Sequence, residues 1–147
     1  MRHTARKVPL SIRARKVVPA SSTNPDTWST YRAAVGSKAG AGMGFVLTSQ
    51  DRLVCIDLDH ALNDGVLAPW ARRIVESAPR TYIEVSPSGT GLHIWGYGTV
   101  GRGRRMRRGE SSVEVYDRGR YITVTRQPFE GAPSELADLS RVIDDLL

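Results

Sequence analysis

The residues that first suggest chemistry are two aspartates, Asp57 and Asp59, at the end of the apolar run Leu53–Asp59. This run predicts a strand, in which alternate side chains share a face, so both carboxylates point the same way with Cα atoms about 7 Å apart. Neighbouring carboxylates repel each other unless a cation lies between them, and their oxygens suit Mg²⁺ or Mn²⁺. The alternative is a solvated strand edge that carries two acids by chance. Aspartate is disfavoured inside strands, which favours the metal site.

A second polar feature is residues 86–93, of sequence SPSGTGLH, which connect two predicted strands over 81–86 and 92–97. The serines and glycines of this loop can present hydroxyl and backbone N–H groups to a phosphate. His93 opens the second strand, where it can donate a hydrogen bond to the same anion. The alternative is an ordinary Gly-rich hairpin followed by a half-exposed histidine, because short Gly-rich loops are weak evidence by themselves.

A third feature is Glu114, in the first strand of a predicted hairpin over residues 112–116 and 121–125. The turn between these strands contains glycine, as short hairpin turns usually do. Glu114 can supply a third carboxylate to a metal site, or it can pair across the strands with one of the many arginines. Arg120, beside the turn, can contact a triphosphate through a bidentate pair of hydrogen bonds.

The positive charge of the chain is unevenly distributed. The net charge is +6, the first 20 residues hold six Arg or Lys and no acid, and residues 102–108 hold five arginines. Positive charge concentrated in this way favours a polyanion, through phosphate pairing and counterion release. The alternatives are a merely solubilising role for arginine and acidic lipid or protein partners.

Several classes of protein are disfavoured by composition. A single cysteine, Cys55, excludes an internal disulfide and a cysteine-based zinc cage. It lies in an apolar strand pattern, which is typical of a buried, inert thiol. No apolar run approaches the ~20 residues of a membrane-spanning helix, and the basic N-terminus lacks the apolar stretch of a secretory signal. We therefore expect a cytoplasmic protein with no membrane partner.

The organisation expected of the chain is one domain over residues 1–147. Its 147 residues, 40% of them hydrophobic, are enough for a single core. Strand patterns alternate with short helical ones, and antiparallel hairpins dominate the second half, which predicts an α+β fold. Residues 1–22 are expected to form a basic extended segment. Residues 134–147 are expected to form a C-terminal helix, because Leu136 and Leu139 begin an apolar pattern at helical spacing.

Taken together, the three features resemble a known family. Asp57 to Asp59, the run 86–93 and the run 113–121 resemble the bifunctional DNA primase/polymerase (prim-pol) domain of the archaeo-eukaryotic primase superfamily, common in phages and plasmids. Three ordered motifs with matching flanks are more specific than any one of them. The resemblance implies a small two-part core with an RRM-like antiparallel sheet, and an active site in the cleft between the parts.

The resemblance also implies roles for residues, carried over by position. Asp57, Asp59 and Glu114 would bind two Mg²⁺ or Mn²⁺ ions, and with His93 they would be the catalytic residues. The phosphates of the incoming nucleotide would contact His93 and further polar and small residues, namely Ser86, Ser88, Gly89, Gly91, Arg120 and Lys7. The nucleic-acid strand would lie across a basic surface formed by Arg102, Arg104, Arg105, Arg107 and Arg108.

The activity implied is that of a metal-dependent nucleotidyltransferase, a DNA primase and DNA-directed polymerase. Its partners would be a DNA template or primer, nucleoside triphosphates, and a replicative helicase or accessory domain, since family members usually carry such regions after the core. A phage- or plasmid-encoded protein of this kind would act in the bacterial host cytoplasm. The chain departs from the family pattern at Arg126, where a glycine would be more usual. Two alternatives are a non-catalytic single-stranded nucleic-acid-binding replication accessory module and a metal-dependent nuclease.

Overall fold

The computed structural model describes residues 1–3 and 7–147, with the backbone alone at Arg2, His3 and Arg108. The strands are β1 (Arg2–His3), β2 (Pro9–Arg13), β3 (Lys16–Pro19), β4 (Gly42–Leu47), β5 (Leu53–Asp59), β6 (Leu62–Asn63), β7 (Val66–Leu67), β8 (Ile83–Val85), β9 (Leu92–Tyr97), β10 (Arg104–Arg108), β11 (Ser111–Tyr116), β12 (Arg120–Val124) and β13 (Ala137–Asp138). The α-helices are α1 (Tyr31–Val35), α2 (Pro69–Ser77) and α3 (Ser140–Leu146), and a 3-10 turn covers Pro25–Thr27.

Most strands belong to two sheets. The five-stranded sheet has the order β12-β4-β1-β2-β3, and all of its pairs are antiparallel. The six-stranded sheet has the order β10-β11-β5-β9-β13, with β8 also paired to β9. Among its described strands, the β13–β9 pair is parallel and the others are antiparallel. Strands β6 and β7 form a separate small hairpin. The predicted α+β class is confirmed, with mostly antiparallel sheets and few helices.

The six-stranded sheet lies between α2 and α3 on one face and the five-stranded sheet on the other. In β5, Val54, Ile56 and Leu58 are completely buried on the helix side, because alternate residues of a strand point to opposite faces. Each such burial stabilises the fold by about 1.5–3 kcal/mol. The opposite face packs on the five-stranded sheet through a smaller cluster, formed by Leu47, Cys55, Trp95 and Ile122. Cys55 is buried, as its sequence context predicted.

The predicted hairpin of residues 112–116 with 121–125 is wrong. Strand β11 pairs with β10 and β5, whereas β12 pairs with β4 in the five-stranded sheet. The chain leaves the six-stranded sheet at Asp117, whose carboxylate accepts hydrogen bonds from the backbone N–H groups of Val100 and Gly101 at 2.8 and 3.1 Å. These bonds hold the end of β11 on the turn that precedes β10, and the chain then crosses to the other sheet.

The two chain ends differ in detail from what the sequence predicted. The basic segment expected over residues 1–22 contains β1, β2 and β3, which form one side of the five-stranded sheet. The helix expected over 134–147 begins only at Ser140, because Ala137–Asp138 pairs with β9 instead. Among the described residues, no helix has the length and apolar character needed to cross a membrane.

Candidate active site

A row of five polar side chains crosses the six-stranded sheet. The residues are direct cross-strand neighbours: Glu84 of β8 faces His93 of β9, His93 faces Asp57 of β5, Asp57 faces Glu114 of β11, and Glu114 faces Arg105 of β10. The Cβ atoms of such neighbours are about 4.5–5.5 Å apart. We call these five residues the polar row. The pairing brings residues that are distant in sequence onto one face of one sheet.

The predicted second aspartate, Asp59, lies one step along the same face. It is two residues from Asp57 in β5 and faces Ser112 of β11, whose hydroxyl donates a hydrogen bond to Asp59 Oδ2 at 3.0 Å. Arg107 of β10 faces Ser112 from the other side. The three predicted carboxylates, those of Asp57, Asp59 and Glu114, therefore project from adjacent positions of two neighbouring strands.

The carboxyl of Asp57 is the most perturbed acid of this group. Burial raises its pKa to about 6, the negative charges of Asp59 and Glu114 act in the same direction, and the nearby positive charges of His93 and Lys7 act against them. A carboxyl with this pKa lies in a place where added positive charge is favourable. The influence of Lys7 also puts that exposed residue within electrostatic reach of Asp57.

Glu114 is held by two arginines. Arg105 Nε lies 2.9 Å from Glu114 Oε1, and Arg120 Nη2 lies 3.5 Å from Glu114 Oε2. The hydroxyl of Tyr116 donates to Glu114 Oε2 at 2.9 Å, and the Arg120 guanidinium lies over the Tyr116 ring, 4.4 Å from its centroid. The side chain of Glu114 is 10% exposed, whereas those of the two arginines are about half exposed. Arg120 comes from β12, so the five-stranded sheet contributes directly to the polar row.

The carboxylates of Asp57, Asp59 and Glu114 are ligands of the kind that divalent cations prefer, although their oxygens do not surround one common position. In the described part of the chain, no group of three or more His, Cys, Asp or Glu side chains is gathered closely enough to hold a metal ion. The reason is visible at Glu114, whose oxygens contact Arg105, Arg120 and Tyr116. Carboxylates in this number match the hard oxygen ligands of Mg²⁺ and Mn²⁺. Glu114 would have to exchange its arginine partners for the ion.

His93 is buried in the middle of the polar row. It is 2% exposed, with Nδ1 3.1 Å from Glu84 Oε1 and Nε2 3.8 Å from Asp57 Oδ1. The alternative of a half-exposed histidine is wrong, since His93 is buried within β9, which pairs with β8 along one edge and with β5 along the other. One ring nitrogen of His93 therefore faces Glu84, and the other faces the carboxylates.

Glu84 is the residue of this site that the sequence analysis missed. Its side chain is completely buried, and although burial alone would raise its pKa, hydrogen bonds from His93, from the backbone N–H of Arg126 and from Tyr82 hold the pKa below its ordinary value. A signal existed in the sequence, because Glu84 is the one acid in the predicted strand over 81–86 and precedes the serine-glycine loop. A lone acid in an apolar strand requires a partner.

The serine-glycine loop is held largely by its own polar groups. The hydroxyl of Ser86 accepts a hydrogen bond from the Gly91 N–H at 3.1 Å and lies 3.0 Å from the hydroxyl of Ser88. Gly89 has a φ of +77°, and a Cβ atom on Gly91 would lie 2.7 Å from the carbonyl oxygen of Leu58. Both glycines are thus required by the backbone. The loop lies at the end of β5 that carries Asp59.

The basic surface expected over Arg102 to Arg108 is divided by strand alternation. Arg105 and Arg107 project on the side of the polar row, whereas Arg104 projects on the opposite side with Met106, which packs against the helix-side core. Arg102 lies in the turn before β10, and all four of these arginines are exposed. The side chain of Arg108 is outside what the structure describes. The described arginines of β10 therefore lie on two faces of an edge strand, and their contact with nucleic acid stays a prediction.

A large cavity lies away from the predicted catalytic residues. It has a volume of about 530 Å³ and is lined by mainly apolar and aromatic side chains, among them Trp28, Tyr31, Phe45, Tyr82 and Trp95. None of the predicted catalytic residues lines it. It borders the polar row through Trp95, whose ring packs edge-on against His93 with centroids 6.4 Å apart, and through Tyr82, whose hydroxyl donates to Glu84.

Comparison with known proteins identifies the family. No family model matches the chain. A DNA primase-polymerase of Nitratiruptor phage NrS-1 is 40% identical to it over 120 residues, an alignment that covers 76% of this chain and 17% of the phage protein. The chain thus spans less than a fifth of the length of this relative. At this identity over three quarters of its length, and with the three motifs in order, the chain belongs to the primase-polymerase (prim-pol) family.

Proposed function

We propose that the chain is a nucleotidyl-transfer core that adds nucleotides to a DNA primer, or joins the first nucleotides of one, on a template strand. The observation that supports this most is the polar row, in which Asp57, Glu114 and His93 are direct neighbours on three adjacent strands. Similarity to a protein named DNA primase-polymerase supports the same class of reaction. In that reaction, a hydroxyl oxygen forms a bond to the α-phosphorus as the bond to pyrophosphate breaks.

In this proposal the carboxylates of Asp57, Asp59 and Glu114 hold two divalent ions. When bound, Mg²⁺ or Mn²⁺ would lower the pKa of the attacking hydroxyl and neutralise the charge of the triphosphate and its leaving group. The raised pKa of Asp57, caused first by burial and further by the charges of Asp59 and Glu114, supports this assignment, because a cation bound there would favour the ionised carboxylate. The remaining contribution of the protein is to position the substrates and to stabilise charge, with no covalent intermediate.

Arg105 and Arg120 exchange partners when substrate arrives. In the substrate-free protein both guanidinium groups contact Glu114. Since each arginine is about half exposed, each contact contributes only about 0.2–1 kcal/mol. Triphosphate oxygens are stronger partners for a guanidinium because they carry more charge and accept paired hydrogen bonds. Transfer of the arginines to the triphosphate would release Glu114 for the metal, so that nucleotide and metal bind together.

His93 completes the contacts to the nucleotide. Its Nε2 faces the carboxylate side of the polar row, and in the imidazolium form this atom donates a hydrogen bond to a phosphate oxygen. Ser86, Ser88, Gly89 and Gly91 would add contacts from the loop beside Asp59. Lys7 would add long-range attraction for the triphosphate from the segment before β2. His93 then acts as a phosphate ligand and not as a general base.

The nucleic-acid strand would approach from the β10 side. Arg105 and Arg107 share the face of the polar row, which places their charges where the backbone of a strand must pass to reach the carboxylates. We propose that the reaction takes place where the two sheets meet, near the contact of Arg120 of β12 with Glu114 of β11; the cleft expected there stays a prediction. An RRM-like arrangement of the sheet and a helicase or accessory-domain partner stay predictions.

A second candidate function is supported by one observation. The arginine contacts of Glu114, with no closely gathered metal-binding group in the described residues, fit a module that binds single strands without catalysis. Such a module would bind nucleic acid in a salt-sensitive manner and would not respond to metal or nucleoside triphosphates.

A labelled primer on a template, incubated with Mg²⁺ or Mn²⁺ and nucleoside triphosphates, distinguishes the proposals. We expect lengthening by the wild-type protein and none by Asp57→Ala. The matched control is Asp144→Asn, at an exposed position of α3 on the helix side. Shortening of the strand would indicate a nuclease, and binding without any change of length would indicate the non-catalytic module. Extension by Asp57→Ala at the wild-type rate would exclude the proposed metal site.

A further inference from the structure

One buried group near the active site has no part in the mechanism above. Glu84 is completely buried in β8, where an ionised carboxylate is costly unless it is fully hydrogen-bonded. Five donors surround it. Oε1 lies 3.1 Å from His93 Nδ1 and 3.3 Å from Trp95 Nε1. Oε2 accepts from the Tyr82 hydroxyl at 2.9 Å and from two backbone N–H groups, those of Thr125 and Arg126, at 3.1 and 3.0 Å.

This arrangement determines which nitrogen of His93 carries a hydrogen. An ionised carboxylate only accepts hydrogen bonds, so His93 Nδ1 must be the N–H that donates to Glu84. The other nitrogen, Nε2, then points towards Asp57, from which it is 3.8 Å away. Because Glu84, His93 and Asp57 are consecutive neighbours in the register of three strands, the ring cannot turn away without breaking this contact.

The two carboxylate oxygens of Glu84 have different kinds of hydrogen-bond partner. The partners of Oε2 include two backbone N–H groups that follow β12, and backbone groups cannot change from donor to acceptor. Of the two partners of Oε1, His93 can change from donor to acceptor, and Trp95 Nε1, which can only donate, is the more distant at 3.3 Å. Replacement of one oxygen by an NH₂ group would therefore put the NH₂ on the His93 side.

We propose that Glu84 is a positioning residue for nucleotidyl transfer: it accepts from the Nδ1–H of His93 and so holds Nε2, the atom that donates to phosphate in the imidazolium form, towards Asp57 and the incoming nucleotide. The inference rests on the proposed function for the identity of the ligand at Nε2. Carboxylates that orient a histidine in this way are known to matter for the group that the histidine contacts, although they do not touch it themselves.

The first test is the tautomer of His93, read by ¹⁵N–¹H NMR of histidine-labelled protein above the pH at which histidines titrate. The chain has three histidines, and the signals of His93 are those lost in His93→Asn. We expect Nδ1–H in the wild type. In Glu84→Gln the NH₂ group donates to Nδ1, and the hydrogen of His93 moves to Nε2. Nε2–H in the wild type, or an unchanged tautomer in folded Glu84→Gln, would overturn the proposal.

Tyr82→Phe is the matched control. It removes one hydrogen bond from Oε2 and leaves Oε1 with its partners, so it disturbs the same buried carboxylate without reaching His93. We expect the wild-type tautomer in this variant. A switch to Nε2–H in Tyr82→Phe as well would show that the tautomer follows general packing and would count against a specific role of Oε1.

The second test is single-nucleotide incorporation. We expect Glu84→Gln to raise the KM for the nucleoside triphosphate about 10-fold, with a smaller change in kcat, because an NH₂ group that donates to Nδ1 leaves only the neutral ring, a weaker phosphate ligand than the imidazolium form. We expect Tyr82→Phe to stay within about twofold of the wild type. In a His93→Asn background, Glu84→Gln should have no further effect, since Glu84 acts through His93. An equal loss in both backgrounds would show that Glu84 is structural. If the wild type incorporates nothing but the tautomer switches, the proposed function fails and the orientation of His93 by Glu84 stands.

Discussion

Replacement of Asp57 by asparagine should stabilise the metal-free protein. Asn matches the shape of a protonated aspartic acid, and Asp57 is 22% exposed, so its ionised form is poorly solvated. The change from an ordinary pKa of 3.8 to about 6 corresponds to about 3 kcal/mol at pH 7, at 1.36 kcal/mol per unit. We therefore expect Asp57→Asn to increase the free energy of unfolding by up to about 3 kcal/mol in EDTA at pH 7.

The same pKa shift predicts how this difference depends on pH. Between the unfolded value of 3.8 and the folded value of about 6, the folded state holds the Asp57 proton more tightly than the unfolded state does. Wild-type stability from this group is thus complete below pH 3.8 and is lost as the pH rises to about 6. The advantage of Asp57→Asn should grow over that range and become constant above it.

Urea unfolding of both proteins at several pH values measures the difference, with Asp144→Asn as the control for loss of an exposed carboxylate. Added Mn²⁺ should stabilise the wild type more than Asp57→Asn, because the variant lacks one of the three proposed carboxylate ligands. The reasoning is refuted if Asp57→Asn is less stable than the wild type in EDTA at pH 7, or if the difference between them is the same at pH 4 and pH 7.

Three further predictions follow from other contacts of the site. Arg105→Ala should change the free energy of unfolding by no more than about 1 kcal/mol. It should raise the apparent Mn²⁺ affinity, measured by calorimetry without nucleotide, because Glu114 loses a competing partner. Weaker Mn²⁺ binding would contradict this. Gly91→Ala should destabilise the fold by about 1–3 kcal/mol in urea unfolding, since its Cβ would meet the Leu58 carbonyl at 2.7 Å, and a neutral result would show that the loop can shift. Arg107→Ala should reduce the slope of log affinity against log salt concentration, for binding of single-stranded DNA, by about 0.7. Arg141→Ala, at an exposed position of α3, should not change the slope. Equal slopes for the wild type and Arg107→Ala would show that Arg107 is not part of the interface.

Local patterns predicted the strands that carry the site, because a strand with one buried face has apolar residues at alternate positions of its sequence. Val54, Ile56 and Leu58 mark the helix-facing side of β5, which leaves Asp57 and Asp59 on the other side. The pairing of His93 and Glu114 with Asp57 depends on register between distant segments, and no local pattern contains it. The resemblance to the family grouped these residues, and the structure places them on one face.

Two features escaped the sequence because they depend on contacts between segments. The sequence predicts that β12 pairs with β11, its neighbour in sequence. In the structure Asp117 fixes the end of β11, and β12 pairs with β4 of the other sheet. Glu84 was overlooked because four of the five donors that make its burial tolerable come from other segments of the chain, β9 and the residues after β12. At Arg126 the departure from glycine has a structural correlate, since its φ is +60°, a region that favours glycine, and its N–H donates to Glu84.

The central claim is that carboxylates from two adjacent strands jointly hold divalent ions with a nucleotide. Manganese binding, followed by EPR in the presence of a nucleoside triphosphate analogue with an imido group between the α- and β-phosphates, tests it most directly. The account predicts two ions per chain in the wild type, and at most one in Asp57→Asn and in Glu114→Gln. Undiminished binding of two ions by either folded variant, or no binding by the wild type, would contradict it.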